Sequence, residues 1–172
     1  MGASYSTMIE KLKKLIEALR EELKNYGQML VLLERQHKHV VTRSADDVSH
    51  STNLIWEQGA ILLEARALRE KCRHAVAKAA GQYENTSFAE LLPLVPSDYQ
   101  PLLKALVDEN NELLFLVRRQ ARQNHLTLRR SIELLQEVMN SLCPQDRAPD
   151  ADNRVKPRSR SQVTRRLHEE VN

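Results

Sequence analysis

The chain has 172 residues, 28% of them charged and 4% aromatic, and carries a formal net charge of +3. Four Gly, six Pro and two Phe leave too few turn glycines and aromatic strand positions for an all-β fold, which is therefore excluded. The 26 Lys and Arg are nearly balanced by 23 Asp and Glu, a mixed surface that differs from the concentrated positive charge of nucleic-acid-binding proteins.

Membrane-spanning and disulfide-rich proteins are also excluded. The longest apolar runs, such as Met29 to Leu33, are far shorter than the roughly 20 residues that a membrane span needs, and the amino terminus shows no secretory signal. Cys72 and Cys143 lie far apart without a CxxC motif, which predicts free thiols in a reducing cytoplasm and no zinc site. We therefore expect a soluble cytoplasmic protein.

The first predicted element is a helix from about residue 7 to residue 42. Its apolar positions advance in alternating steps of four and three, which is the pattern of a coiled-coil seam. The seam consists of Leu12, Ile16, Leu19, Leu23, Tyr26, Leu30, Leu33, His37 and Val40. Flanking apolar residues such as Leu15 and Met29 widen the buried face and predict packing against two neighbours. We interpret His37 as a half-buried packing residue and not as a metal ligand.

A second helix is predicted to begin within residues 44–51 and to end near Ala80, with Gly81 as a left-handed C-cap. Its predicted inner face consists of Leu54, Ile61, Ala65, Leu68, Cys72, Ala75 and Ala79. After this helix, Ser87 and Glu90 have the spacing of a capping box, whereas Pro93 and Pro96 stop a helix after about two turns. This segment is therefore predicted to be a short helix followed by a corner.

The longest helix is predicted to begin at Ser97 or Asp98, with Pro101 in its first turn, and to reach Leu142. Its inner stripe consists of Leu103, Leu106, Asn110, Leu113, Val117, Gln120, Asn124, Leu128, Ile132, Leu135, Met139 and Leu142. An unpaired Asn or Gln in an apolar core costs roughly 1 to 3 kcal/mol. The polar positions therefore either form a partner-binding surface or fix the register of the helices.

Two basic features remain. A run of arginines in the long helix is more consistent with a solvated face than with a phosphate-binding site; it consists of Arg118, Arg119, Arg122, Arg129 and Arg130. Residues 144–172 are rich in Pro, Arg, Asp and Ser, so this segment is predicted to be a disordered tail outside a helical domain of residues 1–143. Val163, Leu167 and Val171 have a helical spacing that suggests docking against a groove.

No catalytic motif is found: the chain contains no GxSxG, P-loop or GxGxxG sequence and no pair of His at metal-binding spacing. We predict a protein that is not an enzyme and has no cofactor and no metal. The predicted fold is all-α: an antiparallel coiled-coil bundle of three long helices plus a short connecting helix, with the disordered C-terminal tail.

The segment ENNELLFLVRRQARQNHLTLRRSIELLQEV, together with the first helix and a middle helix, resembles the FlgN-type flagellar export chaperones. That family carries an Asn closely followed by a Leu-Leu pair, a later Asn or Gln, and a Leu-rich run that ends in Pro before a flexible tail. The residues in those places here are Asn110 or Asn111, Leu113, Leu114, Asn124, Leu134, Leu135 and Pro144.

The resemblance implies a cytoplasmic chaperone that binds the helical ends of hook-filament junction proteins, keeps them unpolymerised and delivers them to the flagellar export apparatus. We predict that this client lies along the long helix and that the tail docks on the export apparatus. The predicted client-binding residues are Asn110, Asn111, Leu113, Leu114, Leu116, Val117, Gln120, Asn124, Leu128, Ile132 and Leu135. The predicted export-docking residues are Val163, Arg165, Arg166, Leu167 and Val171.

Two other functions remain open at this stage. A structural homo-oligomer would associate through the seam of the first helix, and a nucleic-acid-binding coiled coil would use the arginine run and the tail. We expect a monomer or weak dimer, no membrane insertion and no bound nucleic acid.

Overall fold

The computed structural model of the chain describes residues 2–142, which form three long helices and one short helix. α1 spans Gly2–Val41, α2 spans Ala45–Ala79, α3 spans Phe88–Leu91 and α4 spans Gln100–Leu142. A 3-10 turn, Leu92–Leu94, directly follows α3. No strand occurs within the described residues, so the predicted all-α fold is confirmed. The predicted tail lies outside them.

α1 is the central helix of the bundle and packs against both α2 and α4. α2 runs antiparallel to α1, since Gln36 bonds Thr52 near one end and Asn25 bonds Gln58 further along. α4 returns parallel to α1. The wide apolar face predicted for the first helix therefore packs against two neighbouring helices, as expected.

The connection between α2 and α4 follows the predicted capping signals. Gly81 ends α2 in the left-handed conformation, with φ +72°. Ser87 and Glu90 form the predicted capping box: the Ser87 Oγ accepts from the amide of Glu90, and the Glu90 carboxylate accepts from the amide of Ser87. α4 begins at Gln100, two residues after the predicted cap, and Pro101 lies in its first turn.

The apolar core is concentrated at the α3 end of the bundle. The buried residues that form it are Met8, Leu12, Leu15, Ile16, Leu19, Val76, Val95, Leu103 and Leu106. Further along the bundle the buried positions include several polar side chains, among them Glu22, Asn25 and Gln36. Apolar packing therefore dominates one end, whereas the other end combines buried apolar residues, among them Met29, Leu33 and Val40, with hydrogen-bonded polar side chains. None of the described helices is apolar enough over a sufficient length to cross a membrane.

The predicted inner face of α2 is partly wrong. Ile61 and Leu68 are 49% and 51% exposed, whereas Ser51, Gln58, Ala65 and Val76 are buried. The rest of the predicted face is covered at least in part. Ala65 is buried, and the half-buried residues are Leu54, Cys72, Ala75 and Ala79. The cause is the pair of buried polar residues Asn25 and Gln36 in α1. Because buried polar groups need hydrogen-bond partners, α2 turns Gln58 and Thr52 toward α1.

Candidate functional site

A polar network crosses the three long helices in the half of the bundle remote from α3. The Asn124 Nδ2 donates to the carbonyl oxygen of Leu33 at 2.7 Å and to the Gln36 Oε1 at 3.0 Å. The Gln36 Nε2 in turn donates to the Thr52 Oγ1 at 2.9 Å. Gln120 completes the network by donating to the Asn124 Oδ1 at 3.0 Å. Asn124 is thus buried and bonded to α1.

Asn110 makes an equivalent contact two heptads earlier on α4. Its Nδ2 donates to the carbonyl oxygens of Leu19, at 3.0 Å, and Leu106, at 2.8 Å. Two asparagines 14 residues apart therefore bind two α1 carbonyls that are also 14 residues apart, which requires parallel helices in a single register. Of the two roles that the sequence left open, these contacts favour fixing the register for Asn110 and Asn124.

A cavity of about 290 Å³ lies between α1, α2 and α4, next to α3. Its lining includes Glu22, Tyr26, Arg66, Arg69, Phe88, Asn110, Asn111 and Leu114. The buried Glu22 carboxylate lies 2.9 Å from the Arg69 Nε, and the Arg69 guanidinium stacks 5.8 Å from the centre of the Phe88 ring. Burial, with a smaller contribution from Glu22, raises the pKa of Tyr26. This ion pair holds α2 against α1 and α3.

Among the predicted client-binding residues, those in the middle of α4 border the packed part of the bundle. Leu113, Leu116, Val117 and Leu128 are half-buried, Leu114 reaches the cavity rim, and Asn111 is exposed. Each half-buried leucine is close enough to the helix packing to contribute to stability and still has surface left for a partner.

The last ten residues of α4 project beyond the end of α1. The Asn124–Leu33 and Asn110–Leu19 pairs set the register, in which the last residue of α1, Val41, lies level with Ile132. α4 continues to Leu142, about 15 Å further. We name these ten residues together with Ile132, which is residues 132–142, the α4 overhang.

The stripe that faces α1 along the body of α4 continues through the overhang without a partner. Ile132, Leu135, Met139 and Leu142 keep the four-three steps and are 55%, 64%, 69% and 75% exposed. Leu134 and Val138 widen the stripe and are also exposed. The overhang is therefore half of a coiled coil whose other half is not supplied by the described residues.

Sequence reasoning missed a second exposed apolar surface, on α2. Trp56 and Leu63 are 76% and 67% exposed and point away from α1. Their signal was present in the sequence: Trp56, Ala60, Leu63 and Ala67 also advance in steps of four and three. This stripe was not predicted because only one apolar face was assigned to the second helix from its sequence.

The arginine run lies on the surface. Arg118, Arg119, Arg122 and Arg130 are exposed, and the exposed Arg129 pairs with Glu133 at 2.9 Å, in agreement with a solvated face. Half-buried His37 has no hydrogen-bond partner for its Nδ1. Within the described residues no cluster of His, Cys, Asp or Glu is arranged to hold a metal ion. The export-docking residues predicted in the tail, Val163 to Val171, lie outside the described part of the chain.

Comparison with known proteins identifies the family. Searches of curated proteins and of solved structures found no match. A family model described as FlgN protein matches residues 8–151, which include all of the buried core, both register asparagines and the α4 overhang. The match covers well over half of the chain. The protein therefore belongs to the FlgN family of flagellar export chaperones.

Proposed function

We propose that the protein binds the helical ends of hook-filament junction proteins in the cytoplasm, keeps them unpolymerised and delivers them to the flagellar type III export apparatus. The observation that supports this proposal is the α4 overhang, an exposed coiled-coil seam without a partner helix. A client that polymerises through its own helices presents the complementary surface, an amphipathic helix with an unpaired apolar face.

In the proposed complex, the client helix lies along the overhang in the position that α1 occupies further down the bundle. It then covers Ile132, Leu135, Met139 and Leu142. Completing the burial of each side chain contributes roughly 1 to 2 kcal/mol, less than a full transfer because each is already partly covered. Part of this gain offsets the loss of translational and rotational freedom on association. The result is a reversible complex, as a chaperone requires.

The remaining predicted client-binding residues have two roles in this proposal. The apolar contact with the client extends along α4 through five further residues, with Asn111 at its edge. These residues are Leu113, Leu114, Leu116, Val117 and Leu128. Asn110 and Asn124, with Gln120 bonded to Asn124, hold α4 in the register that carries the overhang past the end of α1. In the tail, Val163, Arg165, Arg166, Leu167 and Val171 dock on the export apparatus and transfer the loaded complex.

The test is a binding titration with the helical terminal segment of a hook-associated protein from the same cell. Leu135→Ser with Met139→Ser should weaken binding at least tenfold, since two side chains at about 1 kcal/mol or more each are lost. The matched control is Leu126→Ser, because Leu126 is also exposed, at 58%, but lies on the opposite side of α4. Equal binding by both variants would remove the overhang from the proposal.

A second candidate uses the same seam. The overhang of one molecule pairs with that of another, giving a structural homo-oligomer without a client. Sedimentation equilibrium of the free protein distinguishes the two functions: an export chaperone is a monomer or weak dimer that gains mass with the client segment, whereas a structural protein is a stable oligomer whose association is lost in the Leu135→Ser, Met139→Ser variant.

A further inference from the structure

The outer face of α2 is a second uncovered seam. Trp56, Ala60, Leu63 and Ala67 lie opposite the residues of α2 that contact α1, and the two largest of them are mostly exposed. An exposed apolar stripe on one face of a helix typically marks a surface that another segment covers. In the described structure α1 covers one face only. We name these four residues the outer seam of α2.

The outer seam lies in an acidic stretch. Residues 45–64 contain Asp46, Asp47, Glu57 and Glu64 and no Lys or Arg. Glu57 and Glu64 are exposed and seven residues apart, so both carboxylates lie along the same edge of the outer seam, next to Trp56 and Leu63. The surface therefore suits an apolar segment that carries positive charge.

The chain itself contains such a segment in its tail. Residues 154–167 hold Arg154, Lys156, Arg158, Arg160, Arg165 and Arg166 and no acidic residue. Within and just after this basic stretch, Val163, Leu167 and Val171 recur every four residues, which places them on one face if the segment becomes helical. Apolar spacing and charge thus both match the outer seam of α2.

The tail is long enough to reach this surface. Trp56 lies one turn from Thr52, which is linked through Gln36 to Asn124, so Trp56 is close to the level of Asn124 along the bundle. Leu142 is 18 residues, or about 27 Å, beyond that level. The 20 residues between Leu142 and Val163 span up to about 70 Å, enough to return along the bundle and cross its width of two helices, about 20 Å.

We propose that residues 154–171 fold back onto the outer seam of α2 and cover Trp56 and Leu63. A tethered segment is present at an effective concentration on the order of 1 mM, so a contact with a Kd on the order of 0.1 mM is populated about nine-tenths of the time. The contact does not depend on the export function. One consequence does rest on it: because the same tail residues are proposed to dock on the export apparatus, the two contacts exclude each other.

Trp56 is the only tryptophan in the chain, so its fluorescence reports on this surface alone. In the full-length protein we expect blue-shifted emission and slow quenching by acrylamide. Arg165→Glu with Arg166→Glu should raise the quenching constant roughly twofold or more, since it places like charges beside Glu57 and Glu64. Adding Glu57→Arg and Glu64→Arg to that variant should restore the protection. Circular dichroism checks that each variant keeps its helical content.

The matched control is Arg118→Glu with Arg119→Glu, which makes the same charge change at exposed positions of α4 and should leave Trp56 unaffected. Three results would overturn the proposal: equal quenching in the full-length protein and a variant lacking residues 154–172, failure of the charge exchange to restore protection, or protection that disappears on dilution. The last would identify a second copy as the occupant. None of these readouts involves a client, so the outcome is separate from that of the export proposal.

Discussion

The side-chain amide of Asn124 in α4 lies 2.7 Å from the carbonyl oxygen of Leu33 in α1. That carbonyl belongs to the interior of a helix, so it accepts this bond in addition to its own helical bond. The amide also reaches Gln36, and through it Thr52 of α2. A slip of one heptad would place Met29 where Gln36 now lies and break the network. Together with Asn110, this buried asparagine thus holds α4 in register with α1 and, through Gln36, with α2.

Asn124→Ala should destabilise the protein by about 1 to 3 kcal/mol, because Gln36 and Gln120 lose a buried partner. Urea unfolding followed by circular dichroism measures the loss. Asn111→Ala is the control, since Asn111 is exposed and its change should be within about 0.5 kcal/mol of zero. If the Asn124→Ala protein is as stable as the control, the network does not hold the register.

Replacing Glu22 by Gln should remove the closer of the two carboxylates that pair with the largely buried Arg69, while Glu70 stays 3.0 Å from its Nη1. Removing one member of an isolated buried pair costs about 3 to 5 kcal/mol, and the remaining Glu70 contact with the partial exposure of Arg69 reduces the expected loss to about 1 to 2 kcal/mol. The double variant Glu22→Gln, Arg69→Met should recover part of it. Additive losses in a thermal unfolding cycle would contradict direct coupling between the two residues.

Two glycines should respond oppositely to alanine. Gly81 has φ +72°, where a Cβ is strained, so Gly81→Ala should destabilise the protein by about 1 kcal/mol. Gly27 lies inside α1 with open space where a Cβ would be placed, so Gly27→Ala should stabilise it by about 0.5 to 1 kcal/mol. Chemical denaturation of both variants checks the signs. An unchanged or higher stability of Gly81→Ala would show that the C-cap of α2 is not needed, and a lower stability of Gly27→Ala would contradict the open space at that position.

Glu70 should contribute to the acid sensitivity of the bundle. Partial burial raises its pKa, but the hydrogen bond from Arg73 and the charges of Arg69, Arg73 and His74 lower it more, to below the ordinary value of 4.5. A lowered carboxyl pKa stabilises the folded state above the unfolded-state value, and this contribution is lost as the pH falls through the folded-state pKa. It is below about 1 kcal/mol because Glu70 is partly exposed.

The comparison is with Glu70→Gln, measured by urea unfolding at several pH values. The two proteins should differ at neutral pH and converge as the pH falls well below 4.5. Glu133→Gln is the control, because Glu133 is exposed in its ion pair with Arg129. A difference between wild type and Glu70→Gln that stays constant with pH would show that the carboxylate charge is not involved.

The sequence predicted the elements well where a local signal sets them. The four-three steps of Leu12, Ile16 and Leu19 predicted α1, and its double width predicted two neighbours. Gly81 and the Ser87–Glu90 pair marked the end of α2 and the start of α3. Each of these features depends on residues within one or two helical turns, so a short stretch of sequence is enough to predict it.

Only part of the predicted client-binding stripe on α4 is exposed in the structure. Ile132 and Leu135 are exposed, whereas Asn110 and Asn124 are bonded to α1, and client binding by any of these residues stays a prediction. The packed part of the stripe gives way to the overhang where α1 ends, at Val41. A local sequence pattern in α4 cannot predict that position, because it contains no information on where a neighbouring helix ends.

Helical periodicity and caps thus determined the number, type and order of the elements, because they act between neighbours in the chain. The tertiary structure alone decided which face of α2 turns inward and which part of the α4 seam stays open. The inward face of α2 and the open part of the α4 seam depend on which side chain of the neighbouring helix lies at the same level. Gln36 of α1, for example, bonds Thr52 of α2 and Asn124 of α4. Such pairings join residues 16 and 88 positions apart, and only the assembled bundle brings them together.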